Sequence, residues 1–192
     1  VSTETPPTPP PDEERLRLLM RRYQAGDLDA FDEIYAMTLP MVRGHLAALS
    51  IDRGATLDLV QDVYLQAHRS RHTYDDRRPV RPWLAGIARH VWLMARRSYA
   101  RRRAPEVAGL DEAVDLSLDP ELEGLADRVT LARALASVPA DQREALVLHH
   151  LHGFSFRDVS RVTGVTEGAA RIRASRGMRL LREVLAAGGR RG

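Results

Sequence analysis

Apolar positions recur at helical spacing along most of the chain, most sharply in residues 153–182, GFSFRDVSRVTGVTEGAARIRASRGMRLLR. There Phe156, Val159 and Val162 give a short first helix an apolar side, and Ser155 is placed to cap it. Gly164-Val165-Thr166 makes a turn in which Gly164 supplies a positive φ and Thr166 caps the second helix. In that second helix Ala170, Ala174, Gly177 and Leu181 fall at i, i+4, i+7 and i+11 and face inward, small enough for two helices to approach closely. Arg171, Ile172, Ser175, Arg176 and Arg179 share the opposite face. Upstream, residues 12–25 form a short amphipathic helix with Leu16, Leu19, Met20 and Tyr23 on one side, ended by Gly26. Residues 27–50 carry Phe31, Ile34, Tyr35, Val42, Leu46 and Leu49 at core spacing, and Pro40 is expected to kink or divide that helix. After a turn at 51–55, Thr56 is expected to cap LDLVQDVYLQAHR, whose Val60, Val63, Tyr64 and Ala67 form a buried stripe. Asp58, Gln61, Asp62 and Leu65 form the stripe opposite. Residues 71–82 read as a basic loop with two prolines. The next helix, from 83 to about 102, turns Leu84, Ile87, Ala88, Val91 and Ala95 inward. Trp83, His90 and Arg97 lie on a different side of it, with Trp92 and Arg96 elsewhere on the surface. Two more helices, 128–137 and 140–152, are divided by Val138-Pro139 and pack under the helix-turn-helix. No strand-period alternation of useful length occurs, so the fold class is all-α.

Composition narrows the class. The 192 residues are 44% hydrophobic and 29% charged, enough for a folded core in one or two domains. With no cysteine there are no disulfides, thiolate metal sites or thiol redox sensing. No apolar run approaches the ~20 residues that span a bilayer, so no intrinsic membrane insertion is expected. Residues 1–14 have neither the basic start nor the apolar middle of a signal peptide, and a cytoplasmic location is expected by default. Five prolines among residues 1–11 predict a disordered tail.

The net charge of +3 conceals the distribution of charge. Residues 27–68 hold seven acids and two arginines, and residues 69–103 hold eleven arginines and two acids. Residues 104–127 hold eight acids and no basic residue, and residues 129–192 hold eleven arginines and five acids. Two basic blocks divided by an acidic one suggest two nucleic-acid contacts joined by a segment that avoids DNA. The chain is accordingly expected to form two helical domains joined by a flexible acidic linker.

Each candidate surface admits two readings. The arginine face of 171–179 suits base edges and phosphates, because Arg bonds guanine bidentately and also meets phosphate. It also suits a helical hairpin with a solvated basic side. The stripe of Asp58, Gln61, Asp62 and Leu65 is a solvated face or a protein-docking face. Trp83 beside a basic loop is a stacking platform for single-stranded DNA or a core or hinge residue. His149, His150 and His152 lack the further ligands a metal site needs, and helix-end histidines favourable to the dipole fit as well. No metal ligand set and no cofactor is expected. No carboxylate pair, nucleophile triad or phosphate-binding glycine loop appears, so no enzymatic activity is expected. A helix-turn-helix regulator acting on duplex DNA without polymerase, and a helical adaptor for acidic partners, remain as alternatives.

In order and spacing, these segments resemble the bacterial extracytoplasmic-function sigma factors over residues 27–185. DLVQDVYLQAHR resembles the family's polymerase-docking helix and RPWLAGIARHVW its promoter-melting helix; VPADQREALVLHHLHGFSFRDVSRVTGVTEGAARIRASRGMRLLREVL resembles region four. The resemblance implies a subunit that does no chemistry and lends promoter specificity to an RNA polymerase core. It implies polymerase contacts at Asp58, Leu59, Gln61, Asp62 and Leu65. It implies opening of the minus-ten element by residues 71–97, with a non-template base flipped into a pocket formed partly by the loop of Arg71, His72 and Arg78. Trp83 and His90 adjoin that pocket, and Arg89, Arg96 and Arg97 hold phosphates. Arg171, Ile172, Ser175 and Arg176 enter the major groove of the minus-thirty-five element, while Arg173, Arg179 and His149 meet its backbone. With the match, the chain divides into a disordered tail and short helix (1–26), read from composition and spacing, then region two (27–103), a linker (104–128), region four (129–187) and a frayed tail (188–192). An anti-sigma factor is the further partner it implies, beside polymerase and promoter DNA, duplex and melted. The chain departs from the family at His90, where Asn is usual, at Met94, where Asp is usual, and at Ala169-Ala170, where Thr-Val is usual. Asp158-Val159-Ser160 likewise replaces the usual Glu-Ile-Ala.

Overall fold

A computed structural model describes residues 12–49, 53–103 and 125–188, with side chains described for 12–49, 57–98 and 131–188. The expectations for residues 1–11, for the linker at 104–124 and for the end at 189–192 lie outside these. The described residues are helical, with no strand among them. Helix α1 (Glu13–Gln24) buries Leu16, Leu19, Met20 and Tyr23 and ends at Gly26, φ 102°. Helix α2 (Asp29–Leu49) runs unbroken through Pro40. Pro40 does not divide the helix: Pro40 and Ala36 are both exposed, so the carbonyl left without a donor faces water.

Helix α3 (Arg53–Ser70) starts three residues ahead of the expected cap, so Thr56 lies inside the helix. Val60, Val63, Tyr64 and Ala67 are buried as the spacing required. A 3₁₀ turn at Arg71–Thr73 comes next, held by Gln24 Nε2, which donates to the carbonyls of Arg71 (2.8 Å) and Tyr74 (3.1 Å). Helix α4 (Val80–Arg103) begins before Trp83, with Pro82 in its first turn, where a missing N–H costs nothing. The buried Glu13 carboxylate accepts the Val80 N–H and so fixes α1 to the start of α4.

The second half comprises α5 (Leu125–Ala136), α6 (Ala140–Leu146), a π-helical segment at Val147–Leu151, α7 (Phe156–Thr163) and α8 (Glu167–Gly188). Helix α5 starts three residues earlier than the charge pattern suggested. Helices α1–α4 pack among themselves, as do α5–α8, and the two groups meet where α2 lies on α6 and α4 lies on α7. One buried cluster runs from Leu16 and Leu46 through Leu84 to Leu148, Val159 and Ala174, crossing from one group to the other. A second joins Ala47 and Ala48 of α2 to Leu135, Val138, Leu146 and Leu181. Small residues at 47 and 48 let the helices close to contact. Among the described residues no helix is long and apolar enough to cross a membrane.

Candidate nucleic-acid interface

The helix-turn-helix is built by its caps. Ser155 Oγ accepts the Asp158 N–H (3.1 Å) and donates to the Asp158 carboxylate (2.5 Å), so residue and cap fix each other. Gly164 closes α7 at φ 73°, the left-handed region that glycine enters without a steric penalty. Thr166 Oγ1 accepts the Ala169 N–H (3.2 Å) and opens α8. Ala170, Ala174, Gly177 and Leu181 are buried. Arg171, Ile172, Ser175, Arg176 and Arg179 are all exposed on the outward face. Ile172 is 53% exposed, an apolar tip among arginines.

Two residues expected at the DNA backbone sit differently. Arg173 is half-buried at the seam between α8 and α6, its Nε 3.3 Å from the Asp141 carboxylate. His149 is half-buried as well, its ring stacked on Phe156 with centroids 3.9 Å apart. Its Nδ1 is 2.8 Å from the Phe154 carbonyl oxygen, to which it donates. Of the three neighbouring histidines, His149 and His150 meet edge-on, ring centroids 4.7 Å apart. Among the described residues no three metal-binding side chains stand close enough to hold an ion. His152 instead faces Gly44 of α2, and burial pushes its pKa down to about 3, with His45 and Arg81 adding to the effect.

On α3, Asp58, Gln61 and Asp62 are exposed and Leu65 is 48% exposed. Leu59, 5% exposed, is buried in the core one turn before Val63, unlike its neighbours in that stripe. In the loop, His72 and Arg78 are exposed, while Arg71 is half-buried, with Nη1 donating to the His68 carbonyl (2.9 Å). Trp83 packs edge-on to Tyr74, centroids 5.4 Å apart, and Tyr74 donates to the Arg78 carbonyl (2.6 Å). Trp83 and His90 line one wall of a cleft of about 380 Å³; Asp158, Arg161 and Val162 of α7 line the other. Arg96 lies over the Trp92 ring (5.3 Å) and Arg97 is exposed. Arg89, expected on a phosphate, is half-buried, and its Nε donates to both oxygens of Glu144 (3.0 and 3.3 Å). Sequence reasoning missed Glu144, since no local signal links positions 55 residues apart. It also read Phe156 only as a core residue.

Residues 34–102 match the family model for Sigma-70 region 2, and residues 128–181 match that for Sigma-70, region 4. RNA polymerase sigma factor CarQ of Myxococcus xanthus is 35% identical over 166 residues, 86% of this chain and 95% of that protein. ECF RNA polymerase sigma factor SigF of Caulobacter vibrioides is 31% identical over 173 residues, 89% of this chain and 94% of that one. The chain belongs to the extracytoplasmic-function sigma factors of RNA polymerase. The sigma factor RpoE of Bartonella quintana, solved in complex with the anti-sigma factor NepR, superposes with a TM-score of 0.73 at 28% identity. That superposition covers 81% of this chain and 96% of RpoE. As a sigma factor the protein binds the polymerase core and directs promoter-specific initiation, reading the minus-thirty-five element and melting the minus-ten element. Its region-two match spans most of α2 with α3 and α4, and its region-four match spans α5 to α8. The matches do not favour a regulator that works without polymerase.

Proposed function

We propose that this sigma factor divides its work among three surfaces. Asp58, Gln61, Asp62 and Leu65 of α3 dock on the polymerase core, the acids facing basic residues and Leu65 sealing the contact. Arg71, His72 and Arg78 of the loop, with Trp83 and His90 of α4, receive the melted minus-ten strand. Stacking on Trp83 offsets the few kcal/mol needed to extrude a base. Arg96 and Arg97, and Arg89 once released from Glu144, neutralise phosphates. Arg171, Ile172, Ser175 and Arg176 of α8 read the minus-thirty-five duplex, with Ile172 suited to a thymine methyl group, and Arg173, Arg179 and His149 adjoin its backbone. Residues 27–103 and 129–187 are the working modules, and 104–128 is the linker. The protein acts in the cytoplasm and does no chemistry of its own. An anti-sigma factor restrains it, a role supported by the NepR-bound relative.

The observation that carries this reading is the pairing of an exposed arginine-and-isoleucine face on a capped helix-turn-helix with a Trp-lined cleft on α4. A duplex-only regulator has no use for the second. Purified protein added to core polymerase from its own host should start transcription at defined sites in a genomic library, and failure to do so overturns the reading. Within it, Asp62→Arg should abolish capture of core polymerase while leaving the helical circular-dichroism spectrum and melting temperature unchanged. Capture at the wild-type level would return that stripe to solvent.

A further inference from the structure

Three planar groups from three successive elements are stacked at the edge of the DNA-reading face. The guanidinium carbon of Arg171 in α8 stands 4.6 Å from the centre of the Phe156 ring at the start of α7. The Phe156 ring also meets His149, whose ring lies 3.9 Å from it and inclined by only 23°. His149 is itself fixed by its Nδ1 contact with the Phe154 carbonyl and by His150, whose ring meets it edge-on at 4.7 Å. The π-helical segment makes this possible. Its widened turn bonds the His152 N–H to Val147 O and the Phe154 N–H to Leu148 O, each 3.0 Å, and carries His149 round to face α7.

We propose that Phe156, backed by His149, is a positioning residue for promoter reading: its ring holds the Arg171 guanidinium in the place from which it meets a base. Arg171 is an exposed residue on a long, flexible stem, and an unrestrained guanidinium loses much rotamer freedom when it engages a base pair. A cation lying on an aromatic face has part of that freedom removed in advance. The gain appears at one base pair. Charge attraction to phosphates, which acts along the whole contact, is unaltered by it.

The inference rests on Arg171 reading a base, and the test separates the two. Wild-type, Arg171→Ala, Phe156→Leu and Phe156→Tyr proteins are each assembled into holoenzyme and used to select from duplexes randomised across the upstream element. Arg171→Ala identifies its base pair. Phe156→Leu should reduce preference at that same base pair by about two- to five-fold, the strength of an exposed cation–π contact, and leave the other positions unchanged. Phe156→Tyr should restore it, since the aromatic face remains. Equal weakening on every sequence, or an unchanged preference at that base pair, overturns the positioning role while leaving the reading by Arg171 intact. No change of preference in Arg171→Ala overturns the base contact and the positioning role together. The unaltered free protein provides a measurement independent of any variant's folding. Ring current from Phe156 should shift the Arg171 side-chain protons upfield in its NMR spectrum, and random-coil shifts there overturn the proposal.

Discussion

At Gly177, α8 passes so close to α6 that a β-carbon would stand 2.8 Å from the Gln142 carbonyl oxygen and 3.3 Å from Leu146 Cβ. Neither neighbour can yield, because one is helix backbone and the other is the first atom of a buried side chain. Gly177→Ala should therefore lower stability by about 1–3 kcal/mol, as overpacking does elsewhere. Gly168→Ala in the same helix meets nothing within 4 Å and should be neutral or stabilising. Urea unfolding of the two variants makes the comparison, and equal midpoints would remove the close-approach argument. The inward face at 170, 174, 177 and 181 was legible because small residues recur there at helical spacing. Leu59 was not legible in the same way. A leucine at 59 and another at 65 flank one amphipathic stripe, and only the packing of α3 on α2 and α4 decides that the first is buried and the second exposed.

Helix ends show the same division at the next scale. Ser155, Gly164 and Thr166 each did what their chemistry dictates, so α7 and α8 could be placed from sequence. Thr56 has equal capping chemistry, yet α3 continues past it, because a cap is a preference of about 1 kcal/mol that tertiary packing can override. The ends of α2 and α5 depend on a residue from a third helix. Arg143 of α6 is 3% exposed; its Nε donates to the Ala48 carbonyl (2.7 Å) in the last turn of α2. Its Nη1 donates to the carbonyls of Leu135 and Ala136 (3.3 Å each) at the end of α5. One guanidinium thus satisfies orphan acceptors at two C-termini, whose dipoles favour a cation. Burial lowers its pKa, a sign of the desolvation these bonds offset. Arg143→Met should cost about 2–4 kcal/mol, because hydrogen bonds to a charged group are lost and buried carbonyls remain. The melting temperature should fall by roughly 4–15 °C for a protein of this size, and an unchanged melting temperature would mean water replaces the guanidinium without loss.

In the whole molecule, the two groups of helices are folded against each other, α4 on α7 and α2 on α6. The α7 wall of Asp158, Arg161 and Val162 covers the Trp83 and His90 face, and Glu144 occupies Arg89. None of this was legible, since the contacts join positions 55 to 99 residues apart and use alanines that carry no signature. The seam is polar as well as close. His45 is buried with Nε2 3.3 Å from Glu144, and His152 lies against Gly44, its Nε2 buried. Arg81 of α4 and His45 of α2 both disfavour a proton on His152, adding to the effect of burial. An unfolded histidine takes up a proton below about pH 6.5, whereas His152 in the folded protein does so only near pH 3. Between those limits the unfolded chain binds more protons, so stability is full above about 6.5 and declines as pH falls, by about 1.4 kcal/mol for each unit. Lowering the pH from 7.5 to 5 should thus cost the wild type about 2 kcal/mol more than His152→Leu, which has no proton to bind there. Parallel urea titrations at the two pH values measure that difference, and equal losses in both proteins would show that His152 is not what makes the seam acid-sensitive.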